Sequence, residues 1–402
     1  MAWSAGLLSR YRPAVVVLLA TVGLYFPSSM HGAISPALSG AQALVSAALL
    51  LLVMAAPGGL LGTTSLALVL GANALLWLFT SLTPLPGTAL GAGIYYGLTS
   101  ILLCTRVRSV RCTRLVRSSF FVFNVVNLVA AAAIVAQVPS VIDFVAAHYG
   151  AFYDSLVRNM LAERKPVLAF GSHSVAAFFM FLFFLANFER YVGRGGMLSF
   201  VTAITYLVAL ATLRSSTAVV LLGVALVHVL LACRRRPIGT IMLSASSTLL
   251  GAFAVSRLHA DPLRVVTDAL ATLWADEGAG FGARYSATGL LAGNLAFLRQ
   301  NAWPVGFGFG PGLFFGDSGY VEMTLRGSLV LPLLLYSAFG IFLLHNLRSR
   351  ALALELLAVF LAFEIGWGNL IYVRTVGLLP LLIVLLNDAG YGVQAPTIVR
   401  RG

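Results

Sequence analysis

Runs of about twenty apolar residues recur along this 402-residue chain, and no other feature limits its fold so sharply. A helix of that length crosses the roughly 30 Å hydrocarbon core of a bilayer. Hydrocarbon offers no water to backbone N–H and C=O groups, and a helix satisfies its own. The expected fold class is therefore all-α, a polytopic integral membrane protein. Composition agrees: 59% of the residues are hydrophobic and 10% are charged. That is too little charge to cover a soluble domain of this size.

Twelve spans are expected, at 13–30, 33–55, 58–80, 84–104, 118–138, 170–188, 195–213, 215–233, 237–255, 318–345, 351–372 and 374–392, with ten or eleven as the alternative because the second to fourth are closely spaced. Arg10 and Arg12 precede the first run, but no small-x-small cleavage site and soluble domain follow it. It reads as a retained helix rather than a leader. Cytoplasmic loops carry an excess of Lys and Arg. With both termini inside, 16 of the 26 basic residues fall in short cytoplasmic loops. The arginines at 106, 108, 111, 114 and 117 read as an anchor on anionic lipid. They are hemmed between two spans, so nucleic acid is not an expected partner. Cys104, Cys112 and Cys233 lack metal-ligand spacing and imply no disulfide.

The sequence shows no internal repeat and reads as one membrane domain over 1–402. Two connections are too long to be tight turns, and both fall on the outer face: 139–169 and 256–317. In the first, Ile142, Val145, Ala146, Tyr149, Phe152, Tyr153 and Leu156 recur at helical spacing. That pattern predicts a helix lying in the interface. The second opens with another amphipathic pattern, and 285–300 predicts a further helix against the membrane.

Ten basic residues lie outside against this charge bias: Arg158, Arg164, Lys165, Arg214, Arg257, Arg264, Arg284, Arg299, Arg326 and Arg374. Guanidinium groups bind phosphate bidentately and keep their charge in a low-dielectric site. A subset of Arg214, Arg284, Arg299, Arg326 and Arg374 is expected to converge on a pyrophosphate. The alternative is snorkelling to headgroups or pairing with nearby acids. Glu322 with Arg326 and Glu364 with Arg374 are the nearest such pairs in sequence. The segment 299–327, RQNAWPVGFGFGPGLFFGDSGYVEMTLRG, carries glycines, aromatics, Asp317, Ser318 and Tyr320 straight into an apolar run. A site for an anionic, lipid-linked substrate is expected at that water–lipid boundary.

Three stretches resemble one known family: KPVLAFGSHSVAAFFMFLFFLANF (165–188), LRSSTAVVLLG (213–223) and GFGFGPG…GDSGYVEMTLRGSLVLPLLLY (306–336). In these, and in the layout of spans with a large late outer loop, the chain resembles the O-antigen polymerase and ligase superfamily, in particular exopolysaccharide polymerases. The resemblance implies glycosyl transfer at the periplasmic face of a bacterial inner membrane. A growing glycan would move from undecaprenyl pyrophosphate to a lipid-linked repeat unit, with inversion and without metal or cofactor. The leaving group is a pyrophosphate, whose developing charge arginines can stabilise. The residues implied in catalysis are Asp317, His173 and Arg214. Asp317 is the first candidate for contact with the acceptor hydroxyl, and reads equally well as a helix N-cap. Ligases of the family carry His at that place. His173 is the second candidate. Arg284, Arg299, Arg326, Arg374, Lys165 and Arg164 are expected to bind substrate. Tyr320 reads as a sugar or phosphate contact or as an interfacial-belt tyrosine, and Trp274 and Trp303 as sugar-stacking or belt residues. The expected partners are the undecaprenyl-pyrophosphate-linked oligosaccharide, the bilayer, and a chain-length regulator or export protein. Two readings stay open beside polymerase: a ligase moving glycan to a lipid A core or protein, and a lipid-linked oligosaccharide flippase. Transporters usually carry matching halves, and none is visible here.

Overall fold

The computed structural model describes residues 2–27, 36–83, 90–150, 154–232, 237–258, 261–274, 281–300, 306–310 and 318–389. These residues are largely helical, with one isolated bridge between Leu60 and Thr105. Among the described residues, five helices are long and apolar enough to cross a membrane: Ala37–Ala55, Thr63–Leu82, Arg114–Val135, His173–Arg194 and Pro237–Arg257. Four shorter apolar helices are Gly91–Cys104, Met197–Thr212, Ser216–Ala232 and Val330–Asn346. The chain is an all-α membrane protein.

By packing, the chain forms two compact units. They are Met1–Val116 with Asp268–Leu381, and Arg117–Thr267 with Leu382–Gly402. The first unit opens with α1 (Ala2–Tyr25), α2 (Pro36–Ala55), α3 (Thr63–Leu82) and α4 (Leu90–Cys104). The second holds nearly all of α5 (Arg114–Val135), then α6 (Pro139–Tyr149), α7 (Asp154–Ala162) and a 3₁₀ turn at Leu168–Phe170. It continues with α8 (His173–Arg194), α9 (Met197–Thr212), α10 (Ser216–Ala232), α11 (Pro237–Arg257) and the start of α12 (Pro262–Trp274). The chain then returns to the first unit with α13 (Phe281–Tyr285), α14 (Ala292–Gln300), α15 (Gly319–Gly327), α16 (Val330–Asn346), α17 (Arg350–Glu364) and the first half of α18 (Val373–Ala389).

Two expected spans are interrupted. The run 318–345 is not one helix but α15 and α16, divided at Ser328, whose φ of 55° is left-handed. Gly327 just before it weakens the helix at the same point. The run expected at 351–372 leaves the helix after Glu364, and 365–372 form an irregular corner that contains Gly366 and Gly368.

In the first unit, α1 crosses α18 through a glycine pair. A Cβ on Gly23 would stand 2.8 Å from Gly377 Cα, so only residues without a side chain allow the backbones this close. In the second unit, α8 is apolar around its whole circumference. Every residue from Val175 to Phe188 is buried, as a helix hydrophobic on all sides must be. Asn187, the amide in that run, exchanges hydrogen bonds with Asn124 of α5 at 3.0 and 3.2 Å.

Candidate functional site

Two chain reversals of the second unit meet in a cationic corner. The first ends α7. Arg164 has φ 59°, its N–H bonds to Leu161 O, and the Lys165 N–H bonds to Met160 O. These paired bonds close a helix in the way that glycine usually permits. The second reversal joins α9 to α10. Leu213 caps α9, Arg214 takes φ 46°, and Ser215 Oγ accepts the Ala218 N–H at 3.3 Å. The Arg214 guanidinium donates to the Glu163 carbonyl and so ties the two together. Lys165 Nζ stands 2.6 Å from Glu163 Oε2. The Lys165 hydrogen bond does most to hold the Glu163 carboxyl below the usual range, with smaller contributions from Arg214 and His173.

His173 begins α8, two residues after Gly171 with φ 70°. Leu168 in the same connection has φ 54°, so Arg164, Leu168 and Arg214 are three of the five left-handed non-glycine residues among those described. Such residues cost about 1 kcal/mol or more each, and they persist where surrounding structure over-determines them, often at functional sites. Glu163 and Arg164 are exposed, and Lys165, His173 and Arg214 are half-buried. One carboxylate thus feels Lys165, Arg214 and His173 near the surface, an excess of basic groups that favours an anion.

Beside this corner, α9, α10, α11 and the start of α12 line a half-open apolar recess of about 380 Å³. Leu207, Leu210, Leu222, Val255 and Val265 line it, and Arg214 sits at the end where α9 passes into α10. The buried Arg214 Nε has no hydrogen-bond partner among the described residues.

The remaining candidates lie in the first unit, where most of their donors meet backbone. Arg326 is 4% exposed. Its Nε stands 3.2 Å from Glu322 Oε1, the ion pair expected from sequence, and its Nη1 donates to Gly308 O at 3.0 Å. It pins the glycine-rich segment, whose Phe307 and Gly308 N–H groups reach the Leu325 and Arg326 carbonyls at 2.9 and 2.7 Å. Gly306 lies against the Phe79 ring, and Gly308, with φ 54°, against Thr80 of α3. These two glycines let the segment pack closely on α3.

Arg374 is 1% exposed. It donates to the Gly23 and Leu24 carbonyls in the last turn of α1, and to the Tyr372 hydroxyl at 3.0 Å. It therefore serves carbonyls that a helix end leaves without partners. Arg284 donates to the Gly366 carbonyl, and Tyr285 beside it to the Ile365 carbonyl at 2.5 Å. Tyr320 donates to the Leu361 carbonyl at 2.7 Å and packs on the Tyr336 ring. Arg299 is exposed on α14. Asp317 and Trp303 lie outside the described residues. The helix after Asp317 is capped by Ser318, whose Oγ accepts the Val321 N–H at 3.3 Å. Glu364 does not pair with Arg374. It is fully buried, and its Oε1 accepts the Leu370 N–H at 2.6 Å while Oε2 abuts Gly319.

The structure thus brings Lys165, Arg164, His173 and Arg214 together in the second unit, and places Arg284, Arg299, Arg326, Arg374 and Tyr320 in the first. Sequence reasoning missed Glu163 as the shared counter-charge, and it missed the recess. It also missed Asn369, fully buried, with no partner for Oδ1 or Nδ2 among the described residues. The recess had a faint signal: Ala211, Ala218, Gly223, Ser247 and Gly251, all small, recur in its wall. Among the described residues no group of three or more His, Cys, Asp or Glu could hold a metal ion. No protein-family model, curated protein or solved structure matches the chain.

Proposed function

We propose that this chain is a polysaccharide polymerase of a bacterial inner membrane. It has twelve spans, both termini in the cytoplasm, and the cationic corner at the periplasmic face. It transfers a growing glycan from undecaprenyl pyrophosphate to the hydroxyl of a lipid-linked repeat unit. The bond from anomeric carbon to phosphate oxygen breaks, the new glycosidic bond forms, the pyrophosphate leaves with the electron pair, and the acceptor hydroxyl's proton passes to a base of the site or to the departing pyrophosphate. The observation that carries this reading is the corner of Lys165, His173 and Arg214 around Glu163, reached by strained backbone at the surface. Fixed cations aimed at a leaving pyrophosphate stabilise charge that grows in the transition state. His173, in the same corner, can orient the acceptor hydroxyl. Asp317 remains the other candidate for that contact.

The test is a reconstitution in nanodiscs with the lipid-linked repeat unit, in EDTA, with products separated on a gel. A ladder of lengthening glycans is the expected result. Transfer only to a second, non-isoprenoid acceptor would make the protein a ligase. Movement of the lipid-linked unit across the bilayer without a new glycosidic bond would make it a flippase.

A further inference from the structure

Two carboxylates of the first unit converge where α15 begins and α17 ends. A Cβ on Gly319 would strike Glu364 Oε2 and lie 3.0 Å from Gly368 Cα, and a Cβ on Gly368 would lie 3.7 Å from Glu322 Oε2. The second oxygens of both acids therefore point at one glycine pair. Their first oxygens are taken: Glu364 Oε1 accepts the Leu370 N–H at 2.6 Å, and Glu322 Oε1 stands 3.2 Å from Arg326 Nε. Glu364 is fully buried, and its Oε2 has no hydrogen-bond partner among the described residues. Two phenol hydroxyls approach the same place, also buried and without a partner among the described residues. Tyr96 of α4 is 1% exposed and stands within electrostatic reach of Glu322, Arg326 and Glu364. The Tyr336 hydroxyl of α16 faces Glu364 without closing a hydrogen bond to it.

Charge decides what such a place can hold. Arg326 balances Glu322, whereas Glu364 forms no ion pair among the described residues. A buried carboxylate left unpaired is strongly destabilising, and Glu364 is also the last residue of α17, at the negative end of its helix dipole. One added positive charge brings the group to neutrality. Every ligand on offer is an oxygen, as hard cations prefer. Two carboxylates, with no group of three or more His, Cys, Asp or Glu among the described residues, suit a monovalent ion better than a divalent one. The close glycine contacts leave little room, which favours a small ion. A proton would serve one oxygen, whereas an ion gathers both second carboxylate oxygens and both hydroxyls. We propose that the first unit binds one sodium ion between Glu322, Glu364, Tyr96 and Tyr336. The ion ties the break after α17 to the start of α15.

The test uses full-length protein in nanodiscs, with sodium, potassium and choline chlorides at equal ionic strength and radiosodium to read binding directly. The expected result is saturable binding of one sodium per chain. The melting temperature should rise in sodium, rise less in potassium and stay level in choline. Glu364→Gln keeps an acceptor for the Leu370 N–H and removes the charge. It is expected to lower sodium affinity about tenfold or more and to lose the sodium-dependent rise. Tyr96→Phe removes one oxygen and leaves both carboxylates. It is expected to weaken sodium binding severalfold, and it carries the test if Glu364→Gln does not fold.

Identical melting temperatures in the three salts, with no radiosodium bound, would overturn the site. So would wild-type sodium affinity in folded Glu364→Gln or Tyr96→Phe. A potassium response equal to that of sodium would overturn the choice of a small ion. An infrared band of a buried carboxylic acid in sodium buffer, absent from Glu364→Gln, would give the site to a proton and overturn the ion.

Discussion

Arg374 in the first unit and Arg214 in the second each stand beside a helix end, and each donates to a backbone carbonyl. Arg374 is 1% exposed, and its donors meet the end of α1 and the Tyr372 hydroxyl. Arg214 is half-buried, holds a left-handed backbone, and keeps a buried Nε without a partner among the described residues. The same contrast separates Arg326, which closes the glycine-rich segment, from Lys165, which shares one exposed carboxylate with its neighbours. A basic residue in a membrane protein is thus sorted by what receives its hydrogen bonds. Donors that meet helix ends and loop carbonyls hold the fold. Arg214 also meets such a carbonyl, and differs in standing half-buried on a left-handed backbone, beside the Lys165–Glu163 pair.

Breaking this comparison should give effects of graded size. Arg374→Ala removes the donor that Leu24 O receives at the end of α1, while Gln42 Nε2 still reaches Gly23 O at 3.1 Å, so it should lower stability by about 2 kcal/mol. Thermal unfolding in nanodiscs reads this, and a melting temperature like that of wild type would remove Arg374 from the structural class. Arg214→Ala should behave oppositely. Loss of one preorganised group stabilising transition-state charge lowers turnover on the order of 100-fold, while stability moves by about 1 kcal/mol or less. Turnover in the ladder assay, beside the same melt, separates the two arginines.

The first unit also holds an exception that sharpens the rule. Asn369 is fully buried with its amide unpartnered among the described residues. An orphaned buried polar group costs about 1–3 kcal/mol, so the near-isosteric Asn369→Leu should raise stability by about 1 kcal/mol. A lower melting point would mean that the amide is satisfied in the folded protein. In the second unit, Arg164→Gly relieves a left-handed non-glycine residue and should add up to about 1 kcal/mol. An unchanged or lower melt would show that its side chain contributes as much as its backbone costs.

The smallest effect is electrostatic. The Glu163 carboxyl is held below its usual range by the Lys165 hydrogen bond first. Its contribution to stability is therefore present above the unfolded-state value and lost as pH falls through the lower folded value. Its side chain is 57% exposed, so solvent screening leaves a few tenths of a kcal/mol. Glu163→Gln should flatten that part of the acid-side stability curve, and an identical curve would remove Glu163 from the corner's electrostatics.

Much of this was legible in the sequence because hydrocarbon leaves a chain few choices. The all-helical class followed from run length, and the Glu322–Arg326 pair from nearness in sequence. The breaks at Ser328 and after Glu364 were harder to see, since both lie inside continuous apolar runs where hydropathy does not register backbone angles. The Glu364–Arg374 pairing failed because Glu364 turns to the backbone N–H of Leu370 while Arg374 reaches the end of α1, 350 residues away in sequence. The cationic corner was legible only as separate residues. Its joining bond runs between Glu163 and Arg214, 51 positions apart, and no local pattern encodes that meeting. The recess was the least visible, because its wall differs from other lipid-facing surface only by a few small residues.

The central claim is that the second unit's corner holds a pyrophosphate. Phosphorus NMR titration of inorganic pyrophosphate into nanodisc-embedded protein tests it most directly, with wild type and folded Arg214→Ala side by side. The expected result is saturable binding in wild type that weakens at least tenfold in Arg214→Ala. Equal affinity in the two proteins would contradict the account.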